Sequence, residues 1–358
     1  MAKHLGPSDP SQSTGAAIAT IAVVGVLGIV IAVLAFFRPD DGGSAPEAPA
    51  AADVALATPT APMSSQSTVP GQRVRPAPTL SPQQVGHVGK KLRRKAERAV
   101  EQEPPPETTF RVSTFNVLGA SHTSPGGNKK GWASAATRMG WATSIVQGYD
   151  VDVVGFQEFE SPQVNTFLSH TAGRWAVYPG NSGDPRNSIA WRTDTWELVS
   201  SATVAIPYFR GRTVQMPYVR LRNIASGQDV YFINVHNPAS TGRWGDNERW
   251  RDAATAREIA LINQLHGEDV PVVLTGDFNE RDEIFCKVTG SGAMVSASGG
   301  TAGGGGCAPP SGMGVDWIFG SSAIEFDGYV SQRSGLVQRA TDHPFVVASA
   351  TIPPADVR

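Results

Sequence analysis

Cysteine is scarce in this chain. Two occur among 358 residues, Cys286 and Cys307. None lies among the polar strand ends considered below, which excludes soft thiolate ligation there. Charge of one sign is also missing. The formal net charge is −2, so no global basic field marks the chain for a polyanion. Residues 109–358 hold 20 Lys/Arg against 23 Asp/Glu, and any basic footprint must be local. The glycines at 303–306 lack the Lys-Ser/Thr ending of a phosphate-cradling loop. They read as flexible loop. No internal repeat is visible.

What is present is uneven. "GAAIATIAVVGVLGIVIAVLAFF", residues 15–37, is uncharged throughout and matches the roughly 20 residues that span a bilayer. A cleaved leader has an apolar core of only about 7–15 residues and a small-residue cleavage site. This run is longer and ends in Phe36, Phe37 and Arg38. It is therefore expected to be an uncleaved single transmembrane helix, behind a short tail at 1–14. Residues 38–108 are rich in Ala, Pro, Ser and Thr and are expected to form a disordered linker. A coil of that length reaches roughly 45 Å. Within it, "HVGKKLRRKAERAVEQE", residues 87–103, suits a short basic helix. Its solvated reading stands beside contact with an anionic wall polymer, an anionic lipid or nucleic acid.

The two cysteines flank the Gly-rich "GGTAGGGG". A disulfide there would clamp a floppy loop. It would also place this part of the chain in an oxidising compartment. The expected location is the plasma membrane, single-pass, with residues 109–358 on the extracytoplasmic side.

From Phe110 the texture becomes that of one mixed α/β domain. "FRVSTFNVLGA" alternates as a strand does. "KGWASAATRMGWATSIVQGY" has helical spacing. "WGDNERWRDAATAREIALINQLHG" reads as a strong helix, with Asp246 as N-cap and Gly267 as its stop. Short apolar or alternating runs between them read as strands.

Polar residues stand at the ends of these strands: Asn116 in "STFNVLG", Glu158 in "VVGFQE", His236 in "FINVHNP", and Asp277 with Asn279 in "LTGDFN". Asp316 in "GVDWIFG" and Asp342–His343 in "ATDHPFVVA" complete the set. An α/β scaffold can gather such ends at one mouth. Carboxylates and carboxamides suit a hard cation such as Mg²⁺ or Mn²⁺. Histidines beside carboxylates suit acid–base work near neutral pH. Phosphoryl chemistry needs this mixture. If the chain stays extended to Asn279, Asp277 and Asn279 face one side together.

In order and spacing, "TFN", "QE", "NVH", "GDFN", "VDWIF" and "TDHPFV" resemble the endonuclease/exonuclease/phosphatase superfamily, over roughly Thr109 to Ile352. The resemblance implies a DNase I-like four-layer α/β/β/α sandwich with its site at one edge. It implies metal ligation by Glu158, Asn116 and Asp342, with Mg²⁺ expected, Mn²⁺ as an equivalent and Ca²⁺ also compatible. Asp277 would orient or deprotonate water, and Asn279 would contact the phosphate or hold that geometry. His343 would pair with Asp316 and reach the phosphate, and His236 would act as phosphate donor or acid. The DNase I branch supports that histidine with a carboxylate on a middle strand. This sequence shows Asn187 and Arg192 in that region and no Glu at that place.

His122, on the loop after Asn116, and Arg210 and Arg212, in "YFRGRTVQMPYVRLR", are candidate substrate contacts. Arg220 and Arg222 belong to the same stretch. The expectation is a monomeric, metal-dependent phosphodiester hydrolase, a nuclease acting on DNA or RNA. The alternatives are a phospholipid or inositol-phosphate phosphoesterase and a non-catalytic surface binder.

Overall fold

The computed structural model describes Lys90, residues 106–304 and residues 306–354. The expected membrane span, and the linker and basic segment apart from Lys90 and residues 106–108, lie outside the described residues. Among those described, no helix is long and apolar enough to cross a membrane.

Two six-stranded mixed sheets carry the domain. The first contains β1 (Thr108–Asn116), β2 (Val153–Gln157), β3 (Trp175–Tyr178), β4 (Asn187–Arg192), β13 (Glu325–Gln332) and β14 (Phe345–Ile352). Its order is β13-β14-β1-β2-β4-β3. The second contains β5 (Trp196–Pro207), β6 (Thr213–Asn223), β7 (Asp229–His236), β8 (Val272–Asp277), β9 (Met294–Ser296) and β12 (Asp316–Ser321). Its order is β5-β6-β7-β8-β12-β9. A small hairpin, β10 (Thr301–Gly303) with β11 (Gly306–Ala308), stands apart. The helices are α1 (Ala120–Thr123), α2 (Ala135–Gly148), α3 (Ser161–Thr171), α4 (Glu248–His266), α5 (Asp282–Thr289) and α6 (Leu336–Ala340).

Period-two alternation sorts the side chains into layers. Val112, Val153, Phe232, Val273 and Ile318 share one apolar cluster between the sheets. Their neighbours Val154 and Phe156 pack with Met139, Val146 and Phe167 of α2 and α3. Ile233, Val235, Val272 and Leu274 pack with Leu261 and Leu265 of α4 and Ile284 of α5. The result is a helix–sheet–sheet–helix arrangement, as the resemblance implied.

A polar seam interrupts the inter-sheet core. Gln157 Nε2 donates to Asn234 Oδ1 (2.6 Å) and Thr114 Oγ1 (2.9 Å). Asn234 Nδ2 donates to the carbonyls of Phe156 and Ser188. Gly155 makes room for it, since a Cβ there would lie 2.1 Å from Thr275 Oγ1 and 2.5 Å from Asn234 Oδ1. These bonds join the first sheet to the second near the ends that carry the polar residues.

Helix α4 departs in detail from the sequence reading. Its N-cap is Asn247, with no side-chain capping bond, and Asp246 instead accepts from the Glu248 N–H at 3.0 Å. Gly267 closes the helix as expected. Cys286 and Cys307 form a disulfide that ties α5 to β11.

Candidate active site

Strand pairing explains why distant residues meet. β1 and β2 run parallel, so Asn116 and Gln157 end side by side, with Glu158 next. β7 and β8 also run parallel, and His236 is the register partner of Asp277. β12 runs antiparallel to β8 and begins where β8 ends, pairing Asp316 with Asp277. β14 is antiparallel to β1, so the residues just before it, Asp342 and His343, arrive at the Asn116 end.

Asn116 bridges the sheets. Its carboxamide Nδ2 donates to Glu158 Oε1 and to Asp277 Oδ2, each at 3.1 Å. Its Oδ1 accepts from the Leu118 N–H. Glu158 takes a left-handed φ of 57° immediately after β2, and its other oxygen accepts from the Gly119 N–H at 2.8 Å. A non-glycine residue in this region costs free energy and is concentrated at functional sites.

The Asp277–Asn279 geometry differs from the extended expectation. β8 stops at Asp277, Phe278 packs into the helix-side core, and Asn279 turns left-handed at φ 51°. The pair is held by a turn: the Asn279 N–H donates to Asp277 Oδ1 at 3.1 Å. The Asn279 carboxamide donates to the Asn237 carbonyl at 2.8 Å, which ties the end of β8 to the end of β7. Aspartate's habit of bonding the backbone two residues on outweighs strand continuation here.

His343 Nδ1 lies 3.1 Å from both oxygens of Asp316, and its Nε2 is 3.7 Å from Asp277 Oδ2. Burial opposes a charged His343, but the carboxylates of Asp316 and Asp277 outweigh it and raise its affinity for the proton. Burial pushes the Asp316 carboxyl up. His236 Nε2 is 3.5 Å from Asp277 Oδ2. The carboxylate within reach of His236 is thus Asp277 itself, and Tyr208 meets the imidazole edge-on at 5.9 Å.

His122 turns inward. Its Nε2 lies 3.2 Å from Glu158 Oε2 and its Nδ1 2.8 Å from Asn128 Oδ1. The Glu158 contact, against burial and aided by Asn128, raises its pKa to about 9. Burial pushes Glu158 up, yet the His122 bond, the His236 charge and the Gly119 and Asn116 donors hold it well below the ordinary carboxylate range. Asp342 is exposed and carries Lys129 Nζ at 2.7 Å.

The basic stretch divides. Arg220 and Arg222 both pair with Asp229, which fits a structural ladder. Arg210 and Arg212 sit at the β5–β6 turn, with Arg210 lying over the Trp244 ring.

Several residues at this end went unmarked in the sequence. Buried Arg138 on α2 donates to the carbonyls of Val117 and Ala340, bracing the segments that carry Asn116 and Asp342. Lys129 and Tyr208 were also missed. An arginine among the apolar positions of a helix was the one available signal.

The donors fit a hard divalent cation. Glu158 and Asp342 offer carboxylate oxygens that already attract side-chain cations, His122 and Lys129, whereas Asn116 turns its Nδ2 toward Glu158 and its Oδ1 to the Leu118 N–H. Asp277, Asp316 and His343 also place ligand atoms within 4.8 Å of one another. The groove of about 690 Å³ between α2 and α3 includes none of these residues.

Residues 113–343 match the Endonuclease/Exonuclease/phosphatase family. The chain belongs to that family. An endonuclease/exonuclease/phosphatase family protein from Bacteroides thetaiotaomicron superposes with a TM-score of 0.56 at 15% identity, covering 69% of this chain and 98% of that one. The same organism's mannosyl-6-phosphatase gives 0.54 at 15%, covering 67% and 99%. The human Nocturnin catalytic domain gives 0.53 at 18%, covering 69% and 98%. At these identities the family's fold is what is shared. No match to a curated protein was found. Family members of this fold hydrolyse phosphoester bonds, generally with divalent metals.

Proposed function

We propose that this chain is a divalent-metal-dependent phosphodiesterase acting on nucleic acid. The observation that carries the chemistry is the Asp277 carboxylate, buried and reached by Asn116, His236 and His343 from three other parts of the chain. Asp277 takes a proton from water as the water oxygen bonds to phosphorus. His343, kept protonated, donates to a non-bridging oxygen and stabilises the charge that develops there. The phosphorus–ester oxygen bond breaks, and His236 delivers a proton to the departing oxygen. Asn116 and Asn279 hold Asp277 in place. Glu158, Asn116 and Asp342 would hold Mg²⁺ or Mn²⁺, which when bound neutralises phosphate charge.

Nucleic acid is favoured over a lipid head group by Arg210 and Arg212 at the turn beside Tyr208, the ring that touches His236. The disulfide supports an oxidising compartment. Together with the apolar segment 15–37, it supports reading the chain as a cell-surface enzyme held on a membrane anchor.

The test is hydrolysis by the full-length chain with Mg²⁺, Mn²⁺ or Ca²⁺. Substrates are plasmid DNA, single-stranded DNA, RNA, phosphoinositides and sphingomyelin, with Asp277→Asn as control. Cleavage of a nucleic acid that disappears in the control is expected. Turnover of a lipid alone would transfer the reading to the phospholipid class, and turnover of nothing would leave a binding protein.

A further inference from the structure

Beyond the reacting centre, aromatic rings continue outward from His236. Tyr208 is edge-on to His236 and also to Phe209, with the second pair of ring centroids 4.5 Å apart. Phe209 stacks on Trp244 at 5.0 Å with 16° between planes. The guanidiniums of Arg210 and Arg243 lie over Trp244 at 5.1 and 5.3 Å. Two loops supply this patch, the β5–β6 turn and the segment between β7 and α4. Both are fixed. The Trp244 N–H donates to the Thr241 carbonyl (3.1 Å), and Gly245 pairs with Thr241. Gly211 lies so close to the Trp250 ring that a Cβ would fall 2.4 Å from it.

No carboxylate among the described residues neutralises Arg210 or Arg243. The arginine ion pairs of the described residues involve Arg186, Arg192, Arg220, Arg222 and Arg251. Arg210 and Arg243 are not among them, and both are exposed. Aromatic rings interleaved with guanidinium that no carboxylate neutralises suit an unstacked base and its phosphate.

We propose that Phe209, Arg210, Arg243 and Trp244 form a stacking subsite for an unpaired base of a single-stranded nucleic acid, beside the phosphate to be cleaved. The proposal rests on the phosphodiesterase reading and adds a substrate form to it. A base inside a duplex has its faces covered by its neighbours, so the subsite selects against duplex.

Binding tests this without turnover. The full-length chain carrying Asp277→Asn is titrated with a fluorescein-labelled single-stranded oligonucleotide, its duplex and an abasic strand, over a range of salt. The single strand binds about tenfold tighter than the abasic strand, the size of one base–aromatic stack, and tighter than the duplex. Adding Trp244→Ala removes that advantage, and Trp244→Phe keeps most of it. Arg243→Ala lowers the slope of log affinity against log salt by about 0.7. Equal binding of all three ligands overturns the subsite, as does an unchanged preference in Trp244→Ala. So does Trp244-dependent binding to anionic phospholipid vesicles with no oligonucleotide effect. If the binding differences appear but the unsubstituted chain cleaves no phosphodiester, the hydrolase reading fails and the subsite stands.

Discussion

His236 and Asp277 are register partners at the ends of two parallel strands, with Nε2 and Oδ2 3.5 Å apart. An imidazole and a carboxylate thus share one edge, and each is the last residue of its strand. Replacing Asp277 by Asn keeps the shape and removes the basicity. The expected outcome is a fall in kcat of about 10²–10⁴-fold with little change in Tm. Steady-state kinetics beside a thermal melt checks it, and retained turnover would reject Asp277 as the base.

The Asp316–His343 contact sets a pH dependence. The carboxylates of Asp316 and Asp277 prevail over burial and raise His343, so its charged form persists through neutral pH. Activity that needs the proton is therefore lost only on the alkaline side. Asp316→Asn removes one of those charges and lowers His343, so the alkaline limb of kcat/KM moves toward neutral pH by roughly one unit or more. A profile that stays in place would mean that His343 does not act as a charged donor.

Lys129 occupies Asp342 at 2.7 Å, with both side chains partly exposed. An exposed pair contributes little to stability, but its ammonium competes with a metal for the carboxylate. Lys129→Ala is expected to lower the Mg²⁺ concentration for half-maximal activity by roughly two- to fivefold. A metal titration decides this, and weaker metal dependence on Asp342 would show as no shift.

Glu258 on α4 is fully buried, and both of its oxygens lack hydrogen-bond partners. Burial, with the Glu280 charge adding to it and Asn237 and Lys287 opposing it, raises its pKa from 4.5 to about 8. The folded state then binds a proton that the unfolded state releases, so stability falls as pH rises from about 4.5 to about 8 and levels off above that. Glu258→Gln removes this loss. The variant is expected to match the parent near pH 4 and exceed it by up to about 3 kcal/mol at pH 7. Urea melts at several pH values measure the gap, and a constant gap would rule out the titration.

Much of this was legible in the chain. β1, β7 and β8 announce themselves by alternating or apolar runs that end in polar residues, and the motif order named the fold. Helix α5 did not, although Ile284, Phe285 and Val288 give it a clear apolar face, because its eight residues follow directly on a turn and are few. The left-handed turns at Glu158 and Asn279 were hidden because neither is glycine. Contacts such as Lys129 with Asp342, or Phe209 with Trp244, join residues far apart in sequence and arise only when loops from separate strands meet.

Gly155 has a meaning beyond packing. Glu158 directly follows a strand of one sheet and Asp277 ends a strand of the other, so their spacing is set by how closely the sheets approach. That approach is close where Gly155 faces Thr275 and Asn234, with no room for a Cβ. On the proposed chemistry, the spacing of the reacting groups depends on the absence of a side chain three residues upstream of Glu158.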